Sequence, residues 1–195
     1  MTIKKNNSKR KEQILQSLAL MLEKEPGARI TTSKLAKEVG VSEAALYRHF
    51  PSKARMFEGL IDFAEQEMFS RINMISKEIS DLEEQCQKII TLLLTFAGRN
   101  PGISRMLTGE ALTGEHERLR GRISQLFNRI ETHIKQQFRQ AEVASGQKYI
   151  PDVASRANIL MAFTEGRIQQ YVRTNFLQSP LANWEEEWQL LRKIC

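Results

Sequence analysis

Cysteine is scarce in this chain of 195 residues. Only Cys86 and Cys195 are present, with no CxxC pair, so neither a disulfide framework nor a cysteine-ligated metal site is expected, and a reducing compartment suits the composition. Proline and glycine are sparse as well, at five and ten. A β-rich protein spends many of both on tight turns, so the shortage points towards helices. Long apolar runs are missing too. The longest, from Ile89 to Gly98, is half of what a membrane span needs. Basic residues ahead of the run from Ile14 to Leu22 imitate a signal peptide, but Gln16 and Ser17 interrupt the run, Glu23 to Glu25 follow it, and no small-residue cleavage site appears. Catalytic motifs are equally absent: there is no HExxH, no glycine-rich phosphate loop and no nucleophile elbow, and His116 and His133 stand far apart. These absences exclude a membrane protein and a disulfide scaffold. They leave no basis for an enzyme, a metal or a cofactor.

What is present is a soluble, globular composition, 41% hydrophobic and 27% charged, with a formal net charge of +6. The charge is unevenly placed. Residues 1 to 55 hold twelve Lys/Arg against five Asp/Glu, whereas the remaining residues balance at seventeen against eighteen. A basic part joined to a neutral part suggests an anionic partner, such as nucleic acid, for the first alone.

Apolar residues recur at helical spacing throughout. Ile14, Leu15, Leu18 and Leu22 mark a first helix that Glu25-Pro26-Gly27 ends. Thr31 or Thr32 can cap a second, stopped by Gly40, and Ser42 a third running to His49. After the Phe50-Pro51 break, Ser52 can cap a long helix from Lys53 to Ser76. Asp81 precedes a helix through Phe96, and Asn100-Pro101-Gly102 breaks the chain before a short helix. Long helices are predicted from Gly114 to Val143 and from Asp152 to Phe176, with a last apolar stripe at Leu181, Trp184, Trp188 and Leu191. The fold class is all-α.

The segment from Thr31 to Phe50 carries the function. Two short helices crossing steeply need a small residue where they touch, a left-handed turn and a buried seam, which Ala36, Gly40 and the trio Leu35, Val41 and Leu46 supply. That is a helix-turn-helix within the basic part. Its recognition helix runs from Ser42 through Glu43, Ala44, Ala45, Leu46, Tyr47 and Arg48 to His49. Glu43 could accept from cytosine, Ala44 and Ala45 could touch thymine methyls, and Tyr47, Arg48 and His49 could reach phosphates or base edges. Thr31, Thr32, Ser33 and Lys53 begin helices where an anion is welcome. Capping alone would also account for Thr32 and Ser33, and packing alone for His49.

These residues show a resemblance. LYRHFPSKARMFEGLI after TTSKLAKEVGVS resembles the DNA-binding domain of TetR-type regulators, over residues 8 to 65. The resemblance implies residues 1–7 as a basic tail, 8–52 as the DNA-binding head and 53–195 as an all-α dimerisation and partner-binding domain. It also implies a homodimer on palindromic duplex DNA, its recognition helices one turn apart. EQILQSLALMLE, RNPGISRMLTGEAL and RISQLFNRIE extend the likeness to the nucleoid-occlusion branch of that family. That branch implies a cytoplasmic, nucleoid-associated protein that antagonises the division protein FtsZ, whose tail would meet positions matching Phe63, Arg71, Leu92, Arg99 and Asn100. Phe63 lies about 100° off the apolar face of its helix, which suits a surface contact or a second core contact. Tyr171, Trp184 and Trp188 supply large apolar area and are the candidate dimer interface. A ligand-responsive repressor and a purely structural dimer share this fold class and stay open at the level of sequence.

Overall fold

A computed structural model describes residues 2–25 and 29–195, with side chains from Lys9 onward. Among the described residues there is no strand. The elements are α1 (Thr2–Lys24), α2 (Thr32–Val39), α3 (Glu43–His49), α4 (Lys53–Glu78), α5 (Leu82–Arg99), α6 (Pro101–Leu107), a 3-10 turn (Glu110–Leu112), α7 (Arg118–Ser145), α8 (Val153–Arg173), α9 (Trp184–Leu191) and a terminal 3-10 turn (Arg192–Ile194). Residues 2–7, expected as a tail, fall within the span of α1. The expected turn at Pro26 and Gly27 lies outside the described residues.

The predicted helix ends are realised atom by atom. Thr31 Oγ1 accepts from the Lys34 amide at 3.2 Å, Ser42 Oγ from the Ala45 amide at 3.2 Å, and Asp81 Oδ1 from the Glu84 amide at 2.8 Å. Each satisfies a donor that the first helical turn leaves unpaired. Gly40 closes α2 at φ 73°, a left-handed conformation that costs a residue with a Cβ. Three ends differ from expectation by three residues or more. α5 continues past Phe96 to Arg99, α8 stops at Arg173 before the left-handed Asn175 and Phe176, and α7 begins at Arg118 because residues 110–117 are taken up by the 3-10 turn and bends.

Two compact units divide the chain. The first comprises Met1–Ala64 and Asn100–Ile123, the second Glu65–Arg99 and Ser124–Cys195. In the first, α1 is the hub, touching α2, α3 and most extensively α6. Ile14, Leu18, Leu35, Leu46, Met56 and Phe57 are almost fully buried there. α6 approaches α1 backbone to backbone: a Cβ on Gly102 would stand 2.0 Å from the Ala19 carbonyl oxygen. Gly102 is therefore a packing residue inside a helix as well as part of the sequence break.

The second unit is built around α5 against α8. Trp184 and Trp188 sit at 4% and 2% exposure, their rings 5.5 Å apart, and Trp184 Nε1 donates to Thr91 Oγ1 at 2.8 Å. Arg167, itself buried, donates to the carbonyls of Ser179, Pro180 and Ala182 and so fixes the loop that delivers Trp184. Tyr171 is buried too, its hydroxyl donating to the Gly98 carbonyl at 3.2 Å. This corrects the expected dimer interface. Tyr171, Trp184 and Trp188 are already covered within one chain, so their area belongs to the protomer's own core and is not available to a second copy.

Candidate nucleic-acid interface

The exposed side of α2 and α3 brings together most of the residues expected at DNA. Thr31, Ser33, Ser42, Glu43, Ala44, Tyr47 and Arg48 are exposed, while Thr32, Ala45 and His49 are half-buried. Leu35, Ala36 and Leu46 are buried beneath them, so the surface residues ride on a fixed seam. Thr32 is the junction. Its hydroxyl donates to Glu43 Oε2 at 2.8 Å, and the Tyr47 hydroxyl donates back to Thr32 Oγ1 at 3.3 Å. The first residue of α2 is thereby tied to two successive turns of α3. Sequence reasoning took Thr32, Glu43 and Tyr47 as three separate contacts, and the pattern carries no signal of their linkage because the partners are eleven and fifteen residues apart.

Three side chains have narrower roles than expected. Thr31 and Ser42 spend an oxygen lone pair on capping, which leaves their hydroxyl protons for an incoming oxygen. His49 buries Nδ1 without a hydrogen-bond partner, so only its other edge is presented. Lys53 is engaged within the chain. Its ammonium is not turned outward but pairs with Glu115 Oε1 across 62 residues, above the Phe57 ring at 5.8 Å. The cause is a partly buried carboxylate that needs a cation, Glu115 being only 11% exposed.

Part of the remaining basic charge near the head is held in place by acids or an aromatic ring. Lys34 pairs with Glu25, and Lys11 lies 5.7 Å above the Phe50 ring. Glu58, buried at 8% exposure, accepts from both Arg55 and Arg118 at 2.8 Å, and Asp62 pairs with Arg122 at 2.8 Å. Arg48, Lys9 and Arg10 stand on the surface.

Of the residues expected at the partner, the first unit brings Phe63 and Asn100 together. They wall a pocket of about 370 Å³ with Glu12, Leu15, Gln16, Ala19, Leu60 and Ile103. Phe63 is 43% exposed, a surface aromatic that opens onto the pocket instead of completing a second core face. The other three belong to the second unit. Arg71 is exposed and pairs along its own helix with Glu67 at 3.1 Å, Leu92 is half-buried, and Arg99 is exposed at the end of α5. Phe69, the other aromatic off the main stripe of α4, is capped by the Arg129 guanidinium 4.3 Å from its ring centre. Among the described residues, no three His, Cys, Asp or Glu side chains form a metal cluster, and no helix is long and apolar enough to cross a membrane.

Known proteins resemble this chain. Residues 14–60 match the family model described as bacterial regulatory proteins, tetR family, and residues 80–194 match the one described as tetracyclin repressor-like, C-terminal domain. Among solved structures, the regulator FadR from Bacillus subtilis, crystallised with stearoyl-CoA, aligns with a TM-score of 0.75 at 16% identity, covering 94% of this chain and 98% of that one. A TetR regulator from Haloarcula marismortui aligns at 0.73 and 20% identity, covering 95% and 94%. Such likeness shows the fold alone. The sequence relatives are much nearer: nucleoid occlusion factor SlmA of Shewanella woodyi is 59% identical over 94% of this chain and 93% of its own length. The SlmA of Idiomarina loihiensis is 55% identical over 94% of each. With a TetR-type DNA-binding head, a C-terminal domain of the matching type and this identity along both, the chain belongs to the SlmA family of nucleoid occlusion factors.

Proposed function

We propose that this protein binds duplex DNA as a homodimer through α2 and α3 and, while seated on the nucleoid in the cytoplasm, opposes assembly of FtsZ. It performs no catalysis and needs no metal or cofactor. The observation that carries the reading is that one unit combines an exposed, internally braced recognition helix with an apolar pocket walled by Phe63 and Asn100. A reader of DNA that also engages a partner requires both. The name borne by relatives at 55–59% identity favours occlusion over a ligand-responsive repressor, whose support is fold likeness at 16%.

On DNA, Arg48, Thr31, Ser33 and the amides of the first turn of α2 take phosphates. Glu43, Ala44 and Ala45 face base edges from the N-terminal part of α3. For the partner, Phe63 and Asn100 bind the apolar part of the FtsZ tail in the pocket of the first unit; Arg71, Leu92 and Arg99 of the second unit are further candidate contacts. The Arg71–Glu67 pair is exposed and gives up its cation cheaply.

The dimer uses the outer face of α8, where Ile159, Ala162, Phe163 and Gly166 follow one another at helical spacing. Ile159 is 45% exposed, and space is open beside Gly166. A glycine inside a helix costs about 1 kcal/mol relative to alanine. Close approach of a second helix backbone gives that cost a purpose which the single chain does not.

The deciding experiment is capture of the protein by an FtsZ C-terminal tail peptide, with and without palindromic DNA. Binding that Phe63→Ala weakens while DNA binding persists supports both halves of the reading. Capture in neither condition removes the FtsZ half. Ile159→Glu should give a monomer in sedimentation, and a dimer that survives it places the interface elsewhere.

A further inference from the structure

We infer that Glu115 competes with a DNA phosphate for Lys53, holding that lysine in reserve and thereby setting how tightly the head grips DNA. The inference rests on the DNA-binding reading above and deepens it. Lys53 opens α4 immediately after the Phe50-Pro51 break that ends the recognition helix, a position where an ammonium and the free amides of a helix start favour an anion. Its charge is engaged by Glu115. Two facts make the engagement exchangeable and not merely structural.

The first is redundancy. Along α4, residues 53, 58 and 62 each pair with the segment 115–122, forming the rungs Lys53–Glu115, Glu58–Arg118 and Asp62–Arg122. In the lower two rungs the acid is on α4 and the cation on α7. Only the upper rung, the one beside the recognition helix, has its cation on α4. The two lower rungs hold 115–122 against α4 without Lys53, so the ammonium can leave without dismantling the contact.

The second fact is what remains behind. Glu115 lies outside any helix, in the bend before α7, and lines a pocket of about 280 Å³ whose wall also carries Arg29 and Arg105, together with Glu25 and Glu110. Glu25 is already engaged by Lys34. Arg105 is paired with Glu110 at 3.6 Å. A Glu115 carboxylate released by Lys53 therefore stays in a pocket whose wall already carries cationic side chains and has room for water. An uncompensated buried charge, which would forbid the exchange, is avoided.

The test is a salt titration of DNA binding by the full chain, using the tightest duplex recovered from a randomised library by the unmodified protein. Glu115→Gln removes the competing charge and keeps the side-chain shape. It should tighten binding by roughly threefold or more at moderate salt. The slope of log K against log salt should steepen by up to about 0.9 for each protomer, the value of one further phosphate neutralised. Lys53→Ala should then cost more in the Glu115→Gln background than in the parent. Glu115→Asp, which keeps the charge but draws it back by one methylene, should tighten binding to a lesser degree and covers the case in which Glu115→Gln folds poorly. Unchanged or weaker binding by both variants, with melting temperatures equal to the parent's, overturns the inference while leaving the DNA-binding reading intact. If no duplex is recovered, both fall.

Discussion

Replacing Gly102 by alanine adds one methyl group at the tightest helix crossing in the first unit. The new Cβ would stand 2.0 Å from the Ala19 carbonyl oxygen, 2.9 Å from its carbon and 3.0 Å from the Glu23 amide nitrogen. All three are backbone atoms of α1, so no side chain can rotate away. Restoring even the shortest tolerated separation of 3.0 Å means moving α6 from α1 by at least 1 Å. A radial gap of that size forfeits a quarter to a half of the dispersion energy of every atom pair across it. The pairs concerned include Ile103 and Met106, which are nearly fully buried. Overpacking of a rigid site costs about 3 kcal/mol at the upper end of its usual range. For a chain of this length that corresponds to a fall in melting temperature of roughly 6–12 °C. Gly121→Ala is the internal control: outside its own helical turn no atom lies within 4 Å of an added Cβ, and it sits in the first turns of α7. Relief of the glycine penalty should raise stability by up to about 1 kcal/mol there. Differential scanning fluorimetry with urea unfolding reads both. If Gly102→Ala melts within about 2 °C of the parent, the close approach does not exist as described.

Other outcomes follow from the same structure. Leu46→Ala empties a fully buried site between α3 and its neighbours and should cost about 2–5 kcal/mol in urea unfolding, with DNA binding lost at temperatures where the head has melted. Trp184→Phe keeps most of the ring volume but removes the indole donor to Thr91, whose hydroxyl keeps its own bond to the Gln87 carbonyl; about 1 kcal/mol should be lost, and a neutral result would mean that the indole hydrogen bond is not formed. Arg48→Ala should weaken DNA binding and flatten its salt slope by about one unit for each protomer, and an unchanged slope would place Arg48 away from phosphate.

His133 supplies a pH dependence. Burial lowers its pKa below the ordinary 6.5, and the ring is held by Ser76 Oγ at 2.8 Å. The unfolded chain therefore takes up the proton first, so the neutral ring's stabilisation is complete above about pH 6.5 and is lost as pH falls through the lowered native value. Melting temperature should drop as pH falls from about 7.5 through 6.5, and His133→Gln should remove that part of the drop.

Local chemistry was the readable part of this sequence. Thr31, Gly40, Ser42 and Asp81 act within three or four residues of themselves, so their roles as caps and stops follow from residue type and order. The helix-turn-helix was legible for the same reason: Ala36, Leu46 and Gly40 are the demands of one short crossing. Choices among distant partners were not. Lys53 looked like a surface cation because Glu115 is 62 residues away, and the Thr32, Glu43 and Tyr47 linkage depends on how α2 crosses α3. Tyr171, Trp184 and Trp188 read from sequence as a dimer interface, because periodicity cannot say whether an apolar stripe meets its own chain or another. The pocket containing Phe63 and Asn100 was anticipated only through resemblance, although the angular displacement of Phe63 from the apolar stripe did mark it as unusual.

The hydroxyl of Thr32 has a consequence for anyone who would retarget this protein. Because it bonds to both Glu43 and Tyr47, the groove-facing helix is not an interchangeable cartridge. A graft that brings in a foreign α3 but keeps Thr32 inherits a bracket fitted to side chains no longer there, and the new helix would be held by the buried Leu35, Ala36 and Leu46 seam alone. Positions 32, 43 and 47 must travel as one set, and a library varying 44 and 45 around that fixed triplet is the smallest that can change which bases are read while leaving the reader's aim intact.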